Sequence, residues 1–236
     1  MAYSQVTDNM TYLELVNNVL RRIREEEVTS VSSTTYSKMI GDFVNDAKKL
    51  VENSWDWAAL RYTLSIQTTP GIFNYILTGS ENSPKALTVI NDTTNVFMEY
   101  RSSAWFDNKY TVETPVSGPP QYYTYNGVDS NGDTQIDVYP NPDKEYDIRY
   151  NGVIRGSIIG SGGEVTRSYL LTEDLDVLLI PAMPVVHLAV ALATRERGEA
   201  GGTTALEYFA LASKYLSDAI ALDAQKHPYE TDWYTP

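Results

Sequence analysis

The sequence contains no cysteine and only two histidines. The absence of thiols excludes a disulfide framework, thiolate catalysis and zinc sites built on cysteine. Basic residues are also scarce: 18 Lys and Arg stand against 31 Asp and Glu, which gives a formal net charge of −13. Proteins that bind nucleic acid carry basic surfaces that replace phosphate counterions. The charge balance therefore argues against that role and against a polybasic membrane attachment.

Long apolar runs are missing as well. The most apolar stretch, Val177–Ala193, is shorter than the roughly 20 residues of a membrane span and is broken by Pro181 and Pro184. We interpret it as a buried core helix. The first residues have neither a basic start nor an apolar core, so no signal peptide is expected. Hydrophobic residues make up 42% of the chain, enough for a sizeable core.

Common catalytic motifs are absent: the sequence has no phosphate-binding P-loop, no G-x-S-x-G and no H-E-x-x-H. His187 lies within the apolar helix, where a hydrogen-bonded core histidine is expected. A glycosidase needs two facing carboxylates, for which Asp137, Glu145 and Asp147 are candidates. The alternation of the strands places Asp137 and Asp147 opposite the apolar residues, so we expect both to be solvated. The sequence thus predicts no active site and no cofactor.

One acidic loop resembles the start of a calcium site. Asp129, Asn131 and Asp133 have the spacing of the first three ligands of an EF-hand. That motif requires Gly at position 6 and Glu at position 12, but here Gly132 is at position 4 and Pro140 at position 12. We therefore expect a plain hairpin turn and no metal site.

Helical periodicity is found near both ends of the chain. Thr11 and Glu14 have the spacing of a capping box and predict a first helix. A second helix is predicted from just after Thr34 to about Trp57, with Lys48 off its apolar stripe.

Helices are predicted to resume after the strand-rich section. Thr172 is the expected start of a third helix, which Pro181 and Pro184 should kink or split. A last helix is predicted from the capping box at Thr204 to about Lys226.

Between these regions, residues 62–150 alternate with period two, and turn residues interrupt the pattern. More than half of the 18 tyrosines lie here, as suits half-buried sheet surfaces. The glycine-rich segment Gly152–Gly163 is interpreted as a flexible return loop. The expected fold class is α+β: a helical bundle from both chain ends, with an inserted antiparallel β-domain that forms a small barrel or a sandwich. The predicted boundaries are residues 1–62 and 167–228 for the bundle, 63–166 for the β-domain and 229–236 for an extended tail.

The last predicted helix carries two apolar stripes, although one is enough to join a core. The second stripe indicates burial against another helix or a neighbouring chain; it consists of Tyr208, Leu211, Tyr215 and Leu222. Beyond this helix, Trp233 and Tyr234 belong to no core pattern. They suggest either a tail that docks on a partner or a disordered end.

Four segments carry a resemblance to a known family. They are residues 10–25, residues 36–52 with Trp55–Trp57, the strand phrase Ile136–Asp143, and Tyr146–Tyr150. In this order they resemble the head-to-tail adaptor of short-tailed bacteriophages, also called tail tubular protein A. The resemblance covers essentially the whole chain.

The resemblance implies a structural virion protein that is not an enzyme. It implies a homo-oligomeric ring of about twelve copies at the head–tail junction of the virion, assembled in the host cytoplasm, between the capsid portal and the tail nozzle. Genomic DNA would pass through the ring during ejection without specific binding, and no membrane would be involved.

Site residues follow from this implied architecture. The second stripe, Tyr208, Leu211, Tyr215 and Leu222, is the expected subunit interface. The portal contact is expected at Tyr229, Trp233 and Tyr234. Glu25, Glu26 and Glu27 are candidate channel-facing acids, with a solvated outer face as the alternative.

Two other functions stay open on the sequence alone. The tyrosine-rich β-domain is compatible with a carbohydrate-binding or glycan-cleaving module. An adaptor of a long-tailed phage would share the fold class but have other partners.

Overall fold

A computed structural model of the chain describes residues 9–80, 84–199 and 203–226. Its contacts divide the chain into two compact units: residues 1–60 with 156–236, and residues 61–155. We call them the helical unit and the β-unit. Both helices and sheets are present, so the predicted α+β class is confirmed.

The secondary structure has the following bounds. The helices are α1 (Tyr12–Arg22), α2 (Thr35–Ser54), α3 (Ser103–Asp107), α4 (Ala182–Thr194) and α5 (Thr203–Ala224). The strands are β1 (Arg61–Gln67), β2 (Asn74–Ile76), β3 (Pro84–Asn91), β4 (Val96–Phe97), β5 (Glu99–Tyr100), β6 (Tyr122–Val128), β7 (Thr134–Tyr139), β8 (Asp147–Ile154), β9 (Ser157–Ile159), β10 (Val165–Arg167) and β11 (Val177–Leu178).

Side-chain caps begin the first two helices. The Thr11 hydroxyl accepts from the Glu14 N–H (3.2 Å) and the Glu14 carboxylate accepts from the Thr11 N–H (2.9 Å), so the predicted capping box is confirmed. Thr34 caps α2. The two helices approach closely at Gly41, because a Cβ there would overlap the Tyr12 hydroxyl.

The third helix begins later than predicted. Residues 172–176 form a turn in which the Asp176 carboxylate accepts the N–H groups of Thr172 and Glu173, both at 2.8 Å. The helix α4 begins only after Pro181, and Pro184 lies in its first turn. Neither position requires a backbone N–H, so the prolines mark the start of this helix instead of kinking it.

Lys48 is fully buried, so the prediction from the apolar stripe is wrong at this position. Its ammonium lies 2.8 Å from the buried carboxylate of Glu52 and donates to the carbonyls of Ser168 and Tyr169. The other oxygen of Glu52 accepts the Gly156 N–H at 3.1 Å. Burial lowers the pKa of Lys48, against the opposing effect of Glu52. The ion pair thus connects α2 to the segment after the β-unit, at residues 156, 168 and 169.

The returning segment is more ordered than predicted. Instead of a flexible loop over Gly152–Gly163, β8 extends to Ile154 and β9 follows. In the helical unit β9 is the central strand of a small sheet with the order β10-β9-β11. The segment is ordered because β9 pairs with a strand on each side, which its glycine content did not indicate.

The β-unit contains two four-stranded sheets, with the orders β1-β8-β3-β4 and β2-β7-β6-β5. Neither sheet closes into a barrel within the described residues. Side chains from both sheets form one apolar core, as in a sandwich; its buried members are Ile66, Leu77, Val89, Met98, Tyr123, Ile136, Val138, Ile148 and Tyr150. One pairing, β5 with β6, is parallel, whereas the sequence predicted only antiparallel neighbours.

Helix α3, which the period-two pattern did not predict, covers the outer face of one sheet. The Trp105 ring lies 5.0 Å from that of Tyr122 and 5.3 Å from that of Tyr139. Asp137 on this face is buried, not solvated as predicted. Its carboxylate accepts from the Asn74 amide at 2.6 Å and the Asn126 amide at 2.9 Å.

The tyrosines of the β-unit serve mainly in packing. Tyr150 is fully buried, its hydroxyl lies 2.6 Å from that of Tyr125, and its ring stacks on Tyr62. Burial raises the pKa of Tyr150. These contacts explain the tyrosine richness of this region without a ligand.

We predict that Lys48→Met destabilises the protein by about 3 kcal/mol, because the substitution takes the cation away from the buried Glu52 carboxylate. Urea unfolding measures the loss. The double variant Lys48→Met/Glu52→Gln should regain part of it, since Gln is neutral and still accepts the Gly156 N–H. Lys109→Met, which breaks the more exposed Lys109–Glu113 pair, is the control and should leave the midpoint nearly unchanged. Equal losses in Lys48→Met and the control would contradict the prediction.

Candidate assembly surfaces

Helix α5 lies on α4 and exposes leucines on both of its sides. Ala205, Ala212 and Asp223 are buried on the face towards α4. Leu206 on one flank is 72% exposed and Leu222 on the other is 65% exposed. Leucines exposed on two flanks of one helix are unusual for a surface helix with a single apolar stripe. The flanks of α5 are therefore candidate contact surfaces.

The predicted interface residues share one flank of α5. Tyr208, Leu211 and Tyr215 are half-buried and Leu222 is exposed. Their contact with a neighbouring subunit stays a prediction. Tyr215 also has a partner inside the subunit: its ring stacks on that of His187, with the centroids 4.3 Å apart. A substitution of Tyr215 would consequently disturb the subunit itself.

His187 is the buried, hydrogen-bonded histidine that the sequence predicted. The Arg22 guanidinium donates to its Nε2 at 2.9 Å. Burial lowers the pKa of His187, and the charge of Arg22 lowers it further. The imidazole thus links α1, α4 and, through Tyr215, α5.

The end of α5 is fixed by a buried carboxylate. Asp223 accepts from the Ala58 N–H at 2.9 Å, from the Trp55 indole at 3.2 Å and from the Lys226 ammonium at 3.0 Å. Trp55 and Ala58 follow α2 in the chain, so their bonds to Asp223 hold the C-terminal end of α5 against the segment after α2. The flanks of α5 remain exposed.

The three candidate channel acids follow α1 directly, and all are exposed. Glu25 pairs with Arg197, and Glu27 pairs with Arg21 at 2.9 Å. Within the described residues, Glu26 takes part in no ion pair. Two of the three charges are therefore compensated by neighbouring arginines.

The acids line an open groove of about 810 Å³. Arg197 crosses it: the guanidinium donates to the carbonyl of Ile23 at 3.2 Å and lies 5.3 Å from the centre of the Tyr36 ring. Whether the acids face a channel stays a prediction.

Two further sequence candidates are the portal contact and the acidic loop. The expected portal contacts Tyr229, Trp233 and Tyr234 lie outside the described residues. The loop between β6 and β7 is the predicted hairpin turn: the Asp129 carboxylate accepts the Asn131 and Asp133 N–H groups at 2.9 and 2.8 Å. Asp133 in turn accepts the Gly79 N–H at 3.0 Å. No cluster of three metal-ligating residues is found in the described part of the chain.

Comparison with protein families gives a match over residues 10–233 to the family described as SU10 adaptor protein. This match spans nearly the entire sequence. The chain belongs to the SU10 adaptor protein family. The adaptor is therefore a structural protein of bacteriophages, as the resemblance implied at this coarser level. No curated protein matches the chain.

The family implies that the adaptor associates with other phage structural proteins and is located in the virion. Among the described helices of the adaptor, none is long and apolar enough to span a membrane.

We predict that acid destabilises the adaptor through His187. Because its pKa is lowered in the folded state, the unfolded chain binds the proton more tightly, and stability falls as the pH drops below about 6.5. The loss approaches at most about 1.4 kcal/mol per pH unit. Urea unfolding between pH 7 and pH 5 should show a steeper loss for the native chain than for His187→Gln.

The pKa of His187 can also be observed directly. In a His227→Gln variant, His187 is the remaining histidine, and its imidazole signals in NMR should titrate below pH 6.5. Titration above that value would contradict the assignment.

Proposed function

We propose that the adaptor forms a ring between the capsid portal and the tail nozzle, as the head-to-tail adaptors of short-tailed phages do. The observation that carries the proposal is the family match over residues 10–233, since it covers both units. The implied assembly has about twelve copies and is not an enzyme.

The flanks of α5 suit the contacts of a ring. A closed ring needs heterologous contacts, in which one patch on a subunit meets a different patch on the next. Leu206 and Leu222 are exposed on opposite flanks of α5, so one helix offers both patches. In this arrangement Tyr208, Leu211 and Tyr215 supply the rest of the interface beside Leu222.

The net charge of −13 suits a channel that DNA passes through without binding. Acidic walls repel phosphates and offer no cations in exchange for counterions. Glu25, Glu26 and Glu27 are the proposed wall residues near α1, with Glu26 carrying the uncompensated charge.

The proposed partners are the portal, reached by Tyr229, Trp233 and Tyr234, and the nozzle. The site of action is the head–tail junction, after assembly in the host cytoplasm. The family match and the burial of Tyr123, Tyr139, Tyr146 and Tyr150 inside the β-unit favour the structural role over a carbohydrate-binding function.

Mixing the adaptor with the portal encoded in the same genome, followed by negative-stain electron microscopy, tests the proposal. An added ring on one face of the portal, with its symmetry, is expected. A chain ending at Lys226 should fail to attach while still forming the interfaces of α5. Bare portals beside the intact adaptor would overturn the proposal.

We predict that Leu222→Asp prevents ring formation on the portal. The substitution places a charge in an apolar contact, while the exposure of Leu222 allows the subunit to fold. Leu175→Asp is the matched control, because Leu175 is 62% exposed in the same unit but lies outside α5. Rings of normal yield from Leu222→Asp would show that this flank is not the interface.

We also predict that Glu25→Gln/Glu26→Gln/Glu27→Gln makes the assembled ring retain duplex DNA. The variant removes three negative charges and releases Arg21 and Arg197 from their ion pairs. Binding should strengthen by roughly an order of magnitude at low salt and disappear as salt rises.

The control for this variant changes the net charge equally at other exposed acids: Glu145→Gln/Glu164→Gln/Glu173→Gln. Fluorescence anisotropy with labelled DNA compares the two. If both variants retain DNA to the same extent, residues 25–27 do not face the channel.

A further inference from the structure

The β-unit has an exposed apolar patch beside β2. It consists of Ile72, Phe73, Val112 and Val116, which are 48%, 37%, 77% and 55% exposed; we call it the β2 patch. The Phe73 ring stacks on Tyr110, with the centroids 4.4 Å apart, and this contact joins the start of β2 to the segment after α3.

Backbone bonds place the remaining members of the β2 patch together. The N–H of Asn141 donates to the Val116 carbonyl at 3.0 Å, and the N–H of Gly71 donates to the Pro142 carbonyl at 2.9 Å. The loops that carry Ile72 and Val116 therefore flank the same short segment. Ile72, Phe73 and Val116 are therefore near one another, and Val112 follows two residues after Tyr110, whose ring stacks on Phe73.

A second apolar patch lies on the consecutive strands β4 and β5, each of which is the edge strand of one of the two sheets of the β-unit. It consists of Val96, Phe97 and Tyr100, which are 40%, 66% and 57% exposed; we call it the β5 patch. In the order β2-β7-β6-β5, the two central strands separate Tyr100 from β2, while Val96 and Phe97 pair with β3 at the edge of the other sheet. Exposed aromatic residues of this kind are typical anchors of protein interfaces.

Both edges present backbone groups that the sheet does not use. Phe73 and Leu77 bond to β7, so the alternation of an antiparallel pair directs the N–H and C=O of Asn74 and Ile76 outward. At the other edge, the N–H groups of residues 99 and 101 donate to the carbonyls of Gln121 and Tyr123. The N–H and C=O of Tyr100 therefore point outward. No described strand pairs with either outer side.

The charges around the patches are compensated. The Lys109–Glu113 pair (2.6 Å) lies beside the β2 patch. Two pairs, Arg101–Glu99 (2.7 Å) and Arg149–Asp92 (2.9 Å), border the β5 patch. A chain with net charge −13 repels its own copies. A contact between two copies of this chain therefore requires that the charges around it be paired, as they are around these two patches.

We propose that the β2 patch of one copy packs against the β5 patch of the next copy, so that the β-units form a ring contact of their own. The inference rests on the proposed ring. Two unlike apolar patches, one beside the edge strand β2 and one on the edge strands β4 and β5, fit a heterologous contact between identical chains, in which one patch meets the other. The unused backbone groups of β2 and β5 can add hydrogen bonds across the contact.

The absence of cysteine in the chain makes the contact testable by crosslinking. Val112→Cys and Phe97→Cys put one thiol on each patch, at exposed positions where folding should be unaffected. Portal-bound rings of the double variant are treated with a short bismaleimide and analysed by denaturing electrophoresis. A ladder of dimers, trimers and higher species is expected, whereas each single variant should remain monomeric. Val112→Cys with Val165→Cys is the control, because Val165 is 61% exposed outside both patches, and it should give no ladder.

Each other result overturns a specific statement. Dimers from a single variant would show like patches in contact and overturn the heterologous arrangement. Rings visible on the portal without a ladder would overturn the β-unit contact and leave the proposed function standing. The absence of rings would overturn the proposed function; in that case the free double variant is crosslinked at high concentration, and a lack of ladder there overturns the contact too.

Discussion

Burial of α4 among α1, α2 and α5 is the interaction on which the helical unit depends. Val185, Val186, Ala189, Val190 and Ala193 are all inaccessible to solvent. The small alanines allow close helix packing, and the apolar surface removed from water supplies the main driving force. Polar contacts then fix the geometry. Asn45 exchanges two hydrogen bonds with Leu171, and Lys48 donates to the carbonyls of residues 168 and 169. Apolar burial thus brings distant segments together, and a few buried polar groups set their register.

Local signals predicted the helix starts correctly where the side chain and the backbone group it caps are three residues apart, as at Thr11 and Thr34. Failures occurred where the partner is far along the chain. Lys48 is buried because its acceptors come from residues 168 and 169, and Asp137 is buried with hydrogen bonds from the amides of Asn74 and Asn126. The apparent cap at Thr172 was misleading because residues 172–176 form a turn in which the Asp176 carboxylate accepts the N–H groups of Thr172 and Glu173. Periodicity reports which face of an element is apolar, but it does not report what covers the other face.

The same difference between local signals and partners far along the chain applies to the candidate surfaces. The second apolar stripe on α5 was evident from the sequence, while the exposure of Leu222 and the stacking of Tyr215 on His187 required the fold. The ion pair of Glu25 was invisible in the sequence because Arg197 is remote from it in the chain, whereas the pair of Glu27 with Arg21 is local. The apolar edges of the β-unit were also missed, since Phe97 and Tyr100 read as ordinary strand residues. Composition showed an acidic chain, whereas the structural role was implied by the resemblance, and the family match agrees with a phage adaptor.

The discontinuous helical unit has a consequence for synthesis on the ribosome. Residues 1–60 emerge first, but their packing partner α4 is made only after the entire β-unit. The β-unit is continuous in sequence and can fold as soon as it is complete, whereas α1 and α2 must wait for the C-terminal segment. Since α5 is translated after the β-unit and α4, its flanks are made only after the elements on which the helical unit packs. In the proposed ring, this order of elements avoids premature association of nascent copies through α5.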